Sequence, residues 1–239
     1  MKTEKAYKLL SAQENISNRA AKDLIDRGVV FAGNKKVEIA RNDMKIKTVF
    51  KVKKIDKIKI IFEDNDIVAV DKPAFLNSEE VAKEVGFKLL NRLDRETSGV
   101  LLLYKNDEFR QKAINEFKNQ NVVKEYIAWV NTKIAEEIEI NSPILTIKRG
   151  RAYSKISNEG KEAISTIQPI LIEGNKSKIK VTIKTGRTHQ IRVHLKSIGA
   201  SILGDKLYGG KPAQRMMLHS SKIALLDYIF TSNEPKEFK

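Results

Sequence analysis

The sequence predicts an α+β fold, a mainly antiparallel mixed sheet with flanking helices, preceded by a small helix-helix-hairpin domain. Three observations carry this expectation. Beyond residue 55, short runs rich in Val, Ile and Leu recur between turn signals, the pattern of many strands. In the same region a few stretches place apolar residues at helical spacing. Before residue 55 the order differs, with two helical patterns followed by a hairpin signal, and the charge differs too. Residues 1–54 hold 14 Lys or Arg against 6 Asp or Glu, about half of the whole chain's excess of +15. We therefore expect a small basic domain over residues 1–54 and a larger one over 55–239.

In the first segment, Ala6, Leu9 and Leu10 form one short apolar face. Ser17 is placed to cap a helix carrying Ala20, Ala21, Leu24 and Ile25, and Gly28 to stop it. A turn at Gly33-Asn34 then separates two β-rich runs, and alternating Lys and apolar residues follow from Met44 to Lys54. In the second segment, IKIIFEDNDIVAVDKPAFL predicts a hairpin around Asp-Asn-Asp, residues 79–90 a short helix, and GVLLLY a buried strand. DEFRQKAINEFKNQN has Phe109, Ala113, Ile114 and Phe117 at helical spacing. VVKEYIAWV, AISTIQPILI and KIKVTIKTG read as strands, and RTHQIRVHLKSIG as a helix closed by Gly199.

Composition removes several classes of function. With 239 residues and 41% apolar content the chain can build a real core. No apolar run approaches the roughly 20 residues that span a bilayer, and the opening MKTEKAYKLL does not resemble a secretory signal, so a cytoplasmic protein is expected. The absence of cysteine excludes disulfides, thiolate zinc sites and cysteine nucleophiles. No Walker loop, GxGxxG or Gly-x-Ser-x-Gly is present, which counts against nucleotide cofactors, hydride transfer and adenosylmethionine-dependent methylation. The positive charge points instead to a polyanionic partner.

Two stretches could carry chemistry. In NRLDRETSG, Asp94 stands among Arg92 and Arg95 at the edge of a core strand. A carboxylate among cations is a poor proton donor and an available nucleophile or electrostatic stabiliser; it is equally the ordinary partner of a surface salt bridge. In KTGRTHQIRVHLKSIG, His189, Arg192 and Lys196 share one helical face, where they could hold phosphates. Arg187 sits at the helix entry, within reach of a carboxylate from another strand end. Tyr126 offers a phenol within a strand. His189 and His194 lack the Glu of a zinc-protease motif, so no metal is expected.

Taken in order, these pieces resemble the RluA-type pseudouridine synthases, which modify ribosomal and transfer RNA. That family's His-Arg-Leu-Asp-x-x-Thr-Ser-Gly appears as Asn91 to Gly99, its Lys-x-Tyr as Lys124 to Tyr126, and its Thr-Gly-Arg-x-His-Gln-Ile-Arg-x-His as Thr185 to His194. EDNDIVAVDKPA, GDKLYGG and MLHS continue the likeness. Asn91 stands where the family has His, and Phe75 where Gly is usual. The first segment resembles the small RNA-binding domain named after a ribosomal small-subunit protein. The resemblance implies that Asp94 is a nucleophile acting on a flipped-out uridine, with Arg187 pairing with it and orienting it. It implies that Tyr126 stacks on the base, that Arg92 contacts RNA and fills the gap left in the stack, and that Ile183 lines the pocket. Such an isomerisation needs no cofactor. The expectation is a monomeric RNA pseudouridine synthase; the alternative is an inactive RNA-binding or ribosome-assembly protein on the same fold.

Overall fold

Ser17 accepts a hydrogen bond from the Ala20 N–H, and Gly28 ends the helix between them in the left-handed conformation (φ 76°). The computed structural model describes residues 2–147 and 152–239. Two units pack separately: Met1–Lys57 with Pro73–Leu76, and Ile58–Lys72 with Asn77–Lys239.

The smaller unit contains β1 (Thr3–Lys5), α1 (Ala6–Glu14), α2 (Asn18–Arg27), β2 (Val30–Ala32), β3 (Lys35–Lys36), β4 (Asp43–Lys45) and β5 (Phe50–Val52). β2 pairs with β3 through the Gly33 turn and with β5 on its other edge, while β1 pairs with β4. Leu10, Ala21, Ile25, Val30 and Phe50 form the core, joined by Phe75 from the short returning segment. Phe75 has φ 76°, a conformation that glycine adopts freely and a bulky residue rarely does. The strain accompanies burial of a large ring, with the Lys36 and Lys53 ammonium groups 5.9 and 5.7 Å from its centre.

The larger unit contains β6 (Lys59–Glu63), β7 (Ile67–Lys72), α3 (Ser78–Val85), β8 (Lys88–Leu89), β9 (Ser98–Tyr104), α4 (Asp107–Lys118), β10 (Val123–Val130), β11 (Ile138–Asn141), β12 (Ile144–Ile147), β13 (Tyr153–Ile156), β14 (Ile164–Glu173), β15 (Lys176–Ile183), α5 (Gln190–Ser197), β16 (Leu218–Leu225) and β17 (Tyr228–Thr231). The fold is α+β, as the sequence predicts. Its ten-stranded sheet runs β11-β14-β15-β10-β16-β9-β7-β6, with β17 added to β16 and β8 to β9. Every pair in it is antiparallel except β16 with β9. α4 places Phe109 and Ala113 with Ile67, Val100, Leu102 and Ile223 in one apolar core.

Two features position the site. First, the parallel pairing sets Ser98 beside His219 and Gly99 beside Ser220. At Gly99 (φ 109°) a Cβ would lie 2.1 Å from the Ser220 carbonyl oxygen, so only glycine lets the strands approach this closely. Second, α5 is shorter than its pattern predicts. It begins at Gln190, whose side chain accepts from the Arg187 N–H and the Thr185 hydroxyl, and His189 precedes it in the left-handed region (φ 56°). Arg187 therefore lies in the turn ahead of the helix. The expected helix over 79–90 also ends early, and Lys88–Leu89 add to the sheet.

Candidate active site

Asp94 lies in the loop between β8 and β9 and is partly exposed. The loop is held by its own polar groups and by Ser78 at the start of α3. Ser78 Oγ accepts from the Leu93 N–H and donates to the Leu93 carbonyl, both at 3.0 Å, and the Thr97 N–H donates to the Asp94 carbonyl at 3.1 Å. Asn91 Oδ1 accepts from the Leu102 N–H at 2.8 Å and so ties the loop to β9. At the position where the family has His, this chain has a side chain acting as a backbone acceptor.

The partner of Asp94 is Arg192, whose Nη1 lies 2.8 Å from Asp94 Oδ2. This corrects the expectation for two arginines. Arg187 does not meet Asp94: its Nε donates to the Glu162 carbonyl at 2.8 Å, and it borders a cleft of about 430 Å³ with Phe117, Lys118 and Gln120. The physical reasons are that α5 starts late, which leaves Arg187 in the turn ahead of it, and that α5 is buried on every side from Gln190 to Leu195, which leaves Arg192 no solvent flank. Arg192 in turn is no phosphate ligand on an exposed flank. It is buried, and its Nε and Nη2 bind both oxygens of buried Asp205 at 2.7 and 2.9 Å. Burial alone would disfavour the Arg192 charge, but Asp205 and Asp94 outweigh it and push its pKa further up. A guanidinium thus bridges a buried carboxylate that fixes it and an accessible one that it fixes.

His189 is half-buried, with Nε2 3.8 Å from Asp94 Oδ2 and Nδ1 2.9 Å from the Tyr208 hydroxyl. Burial lowers its pKa, with Asp94 opposing, so the imidazole is neutral near pH 7. Lys196 is exposed, its amine 5.8 Å from the Tyr208 ring centre. Arg92 is also exposed, 3.5 Å from Glu79.

Tyr126 and Ile183 lie on the sheet face that α5 covers. Tyr126 pairs with Val181 and Ser220, and Ile183 with Lys124, so Tyr126 and Ile183 are diagonal neighbours on one face. The helix α5 belongs to that face: His194 and Gln190 bond Ser165, which pairs with Ile183. Burial pushes the Tyr126 phenol up to about 12, the nearby Ser220 hydroxyl opposing and Asp94 adding to the rise. Its hydroxyl therefore keeps its proton throughout the physiological range.

Other polar groups enter that residue patterns alone do not assign. Asp205 and Tyr208 come from GDKLYGG, where Gly210 passes so close to Ile202 that a Cβ would clash. Beneath the loop that carries Asp94, Lys72 Nζ donates to the Arg95 carbonyl at 3.3 Å. Lys72 is fully buried, and burial lowers its pKa to about 7 despite the opposing pull of Asp94 and Glu96. Their signal in the sequence is membership of quoted motifs, not residue type or spacing.

The site combines an accessible carboxylate fixed by a buried guanidinium with an aromatic ring and an aliphatic side chain that share one face of the adjoining sheet. Comparison with known proteins gives the family. Residues 59–197 match the RNA pseudouridylate synthase family, and this chain belongs to that family, in its RluA-type branch. It is 54% identical over 240 residues to an uncharacterized RNA pseudouridine synthase of Helicobacter pylori, covering 99% of each chain. It is 34% identical to a ribosomal large subunit pseudouridine synthase C of Rickettsia felis, over 74% of this chain and 66% of that one. Among solved structures, human RNA pseudouridylate synthase domain containing 1 matches with a TM-score of 0.64 at 25% identity, over 75% of this chain and 84% of that one. The protein is an RNA pseudouridine synthase, an isomerase that acts on RNA.

Proposed function

We propose that the protein converts specific uridines in structured ribosomal or transfer RNA to pseudouridine, with Asp94 as the nucleophile acting on a nucleotide flipped out of its stack. The observation that carries this reading is the Asp94 carboxylate held at 2.8 Å by Arg192, itself locked by Asp205. A carboxylate oriented in this way is pre-organised for attack and needs little rearrangement as the reaction begins. Flipping is required because the glycosidic bond is inaccessible within a stacked helix.

Asp94 bonds to the sugar carbon as that carbon's bond to uracil N1 breaks. The uracil turns, and its carbon 5 bonds to the same sugar carbon as the bond to Asp94 breaks, which frees the carboxylate. Carbon 5 loses a proton and N1 gains one, so the reaction is redox-neutral and needs no cofactor. Tyr126, protonated throughout, supplies a stacking face and an O–H rather than a phenolate base. Ile183 closes the pocket against the base. Arg92, exposed at the rim, enters the duplex in place of the extruded base.

Residues 1–54 serve as a basic RNA-docking domain. The protein works as a monomer in the cytoplasm, where its substrate is. The name of the Rickettsia relative makes the large ribosomal RNA the first RNA to test. The test is to map pseudouridines in ribosomal and transfer RNA from cells with and without the gene. Loss of discrete sites is expected; identical maps would refute the proposal.

A further inference from the structure

The loop that presents Asp94 rests on a buried hydrogen-bond chain that the proposed chemistry does not use. Arg215 is almost wholly buried. Its Nη2 donates to Ser98 Oγ at 2.8 Å, and Nη1 approaches the Glu96 carbonyl at 3.4 Å. Its Nε donates to Glu237 Oε1 at 2.7 Å, in the 3-10 turn Lys236–Phe238. Ser98 Oγ also lies 2.9 Å from His219 Nδ1, and His219 Nε2 lies 3.2 Å from the Ser232 carbonyl.

The proton positions follow from chemistry. A carbonyl only accepts, so His219 Nε2 carries a proton. Burial lowers the His219 pKa, so the ring is neutral and Nδ1 is an acceptor. Ser98 must then donate to His219, and its lone pairs accept from Arg215. Each member of the chain has one role, and the chain runs from the turn to the residues directly after the nucleophile.

The same turn is itself fixed. Phe238 is fully buried, its ring centre 5.0 Å from the Arg215 guanidinium carbon and 6.0 Å from the His219 ring centre. Its carbonyl accepts from Trp129 Nε1 at 3.1 Å. A buried cation with a fixed counter-charge and three directed donors is a rigid support.

We propose that Arg215 is a positioning residue for the nucleophile: Glu237 sets its orientation, and through Ser98 and the Glu96 carbonyl it fixes the loop that carries Asp94. This rests on the reading of Asp94 as the nucleophile. Glu237→Gln keeps the shape but removes the charge that orients Arg215. Arg215→Lys keeps a cation but offers no planar fork to reach three acceptors.

The test measures single-turnover pseudouridine formation at saturating RNA, RNA affinity, and amide hydrogen exchange, for the full chain and both variants. We expect the rate to fall at least tenfold in each, with affinity within about twofold of wild type. Exchange should rise within residues 94–98 while β10 and α4 stay protected. Should Arg215→Lys fail to fold, Glu237→Gln carries the test. Wild-type rates in both variants would overturn the inference. So would a rate loss matched by weaker RNA binding or by lost protection across β10 and α4, because each marks a general structural role. A wild-type protein that forms no pseudouridine would instead overturn the proposed function itself.

Discussion

At the scale of single residues, the account turns on which arginine meets Asp94. Arg192 has three directed bonds to two carboxylates, whereas Arg187 bonds a backbone carbonyl. We predict that Arg192→Lys lowers the single-turnover rate by about 100-fold or more, because a lysine amine cannot hold Asp205 and Asp94 together and leaves buried Asp205 poorly paired. Arg187→Ala should change that rate by less than about fivefold, a ratio read from the same assay. Sequence spacing cannot make this choice. Both arginines lie in one motif, and a helix drawn from Arg187 puts Arg192 on a flank that faces solvent. The true start at Gln190 depends on its side chain accepting from the Arg187 N–H and the Thr185 hydroxyl, a local competition that periodicity does not report. Asp94, by contrast, is singled out by the family motif that carries it, since a carboxylate among arginines is by itself the ordinary partner of a surface salt bridge.

At the scale of elements, strongly patterned segments are legible and weakly patterned ones are not. β9, β10, α4 and the β6–β7 hairpin match their apolar periodicity, since each buries a face or a whole strand. β12 and β13 are four residues each, with most of their residues not buried, and pair with each other as a two-stranded sheet, so they leave little apolar signal. β16 leaves no clear strand pattern although it is central, because MLHSSKIAL mixes buried Ser and His with its aliphatic residues. Those polar residues serve the parallel pairing with β9. We predict that Gly99→Ala destabilises the protein by more than about 3 kcal/mol, measured by chemical denaturation, since both the left-handed backbone and the clash with Ser220 oppose it. Lys72 on β7 gives a pH prediction. Its folded pKa, about 7, lies below its ordinary value of 10.5, so the unfolded chain binds more protons between them. The penalty for burying its charge is therefore fully present below pH 7 and is relieved as the pH rises toward 10.5. Lys72→Met should remove this rise, on the order of a few kcal/mol, from a plot of stability against pH.

At the scale of the whole molecule, the sequence divides near residue 54 by charge and pattern, and the packing divides near Lys57 but returns Pro73–Leu76 to the first unit. No linear reading reveals such a return, because its signal is one residue, Phe75, in a conformation usual for glycine. In the proposed division of labour the first unit supplies affinity and the second chemistry. Changing the exposed Arg19, Lys35, Lys47 and Lys51 to Ala should weaken RNA binding and flatten its dependence on salt, by about 0.7 to 0.9 in the log–log slope for each phosphate that is no longer neutralised. At saturating RNA the single-turnover rate should stay within about twofold of wild type. The central claim, that the carboxylate held by Arg192 is the nucleophile, is tested most directly by Asp94→Asn on an RNA carrying a mapped target uridine, with turnover and binding measured together. The account predicts no detectable pseudouridine at an RNA affinity close to wild type; substantial turnover by this variant would contradict it.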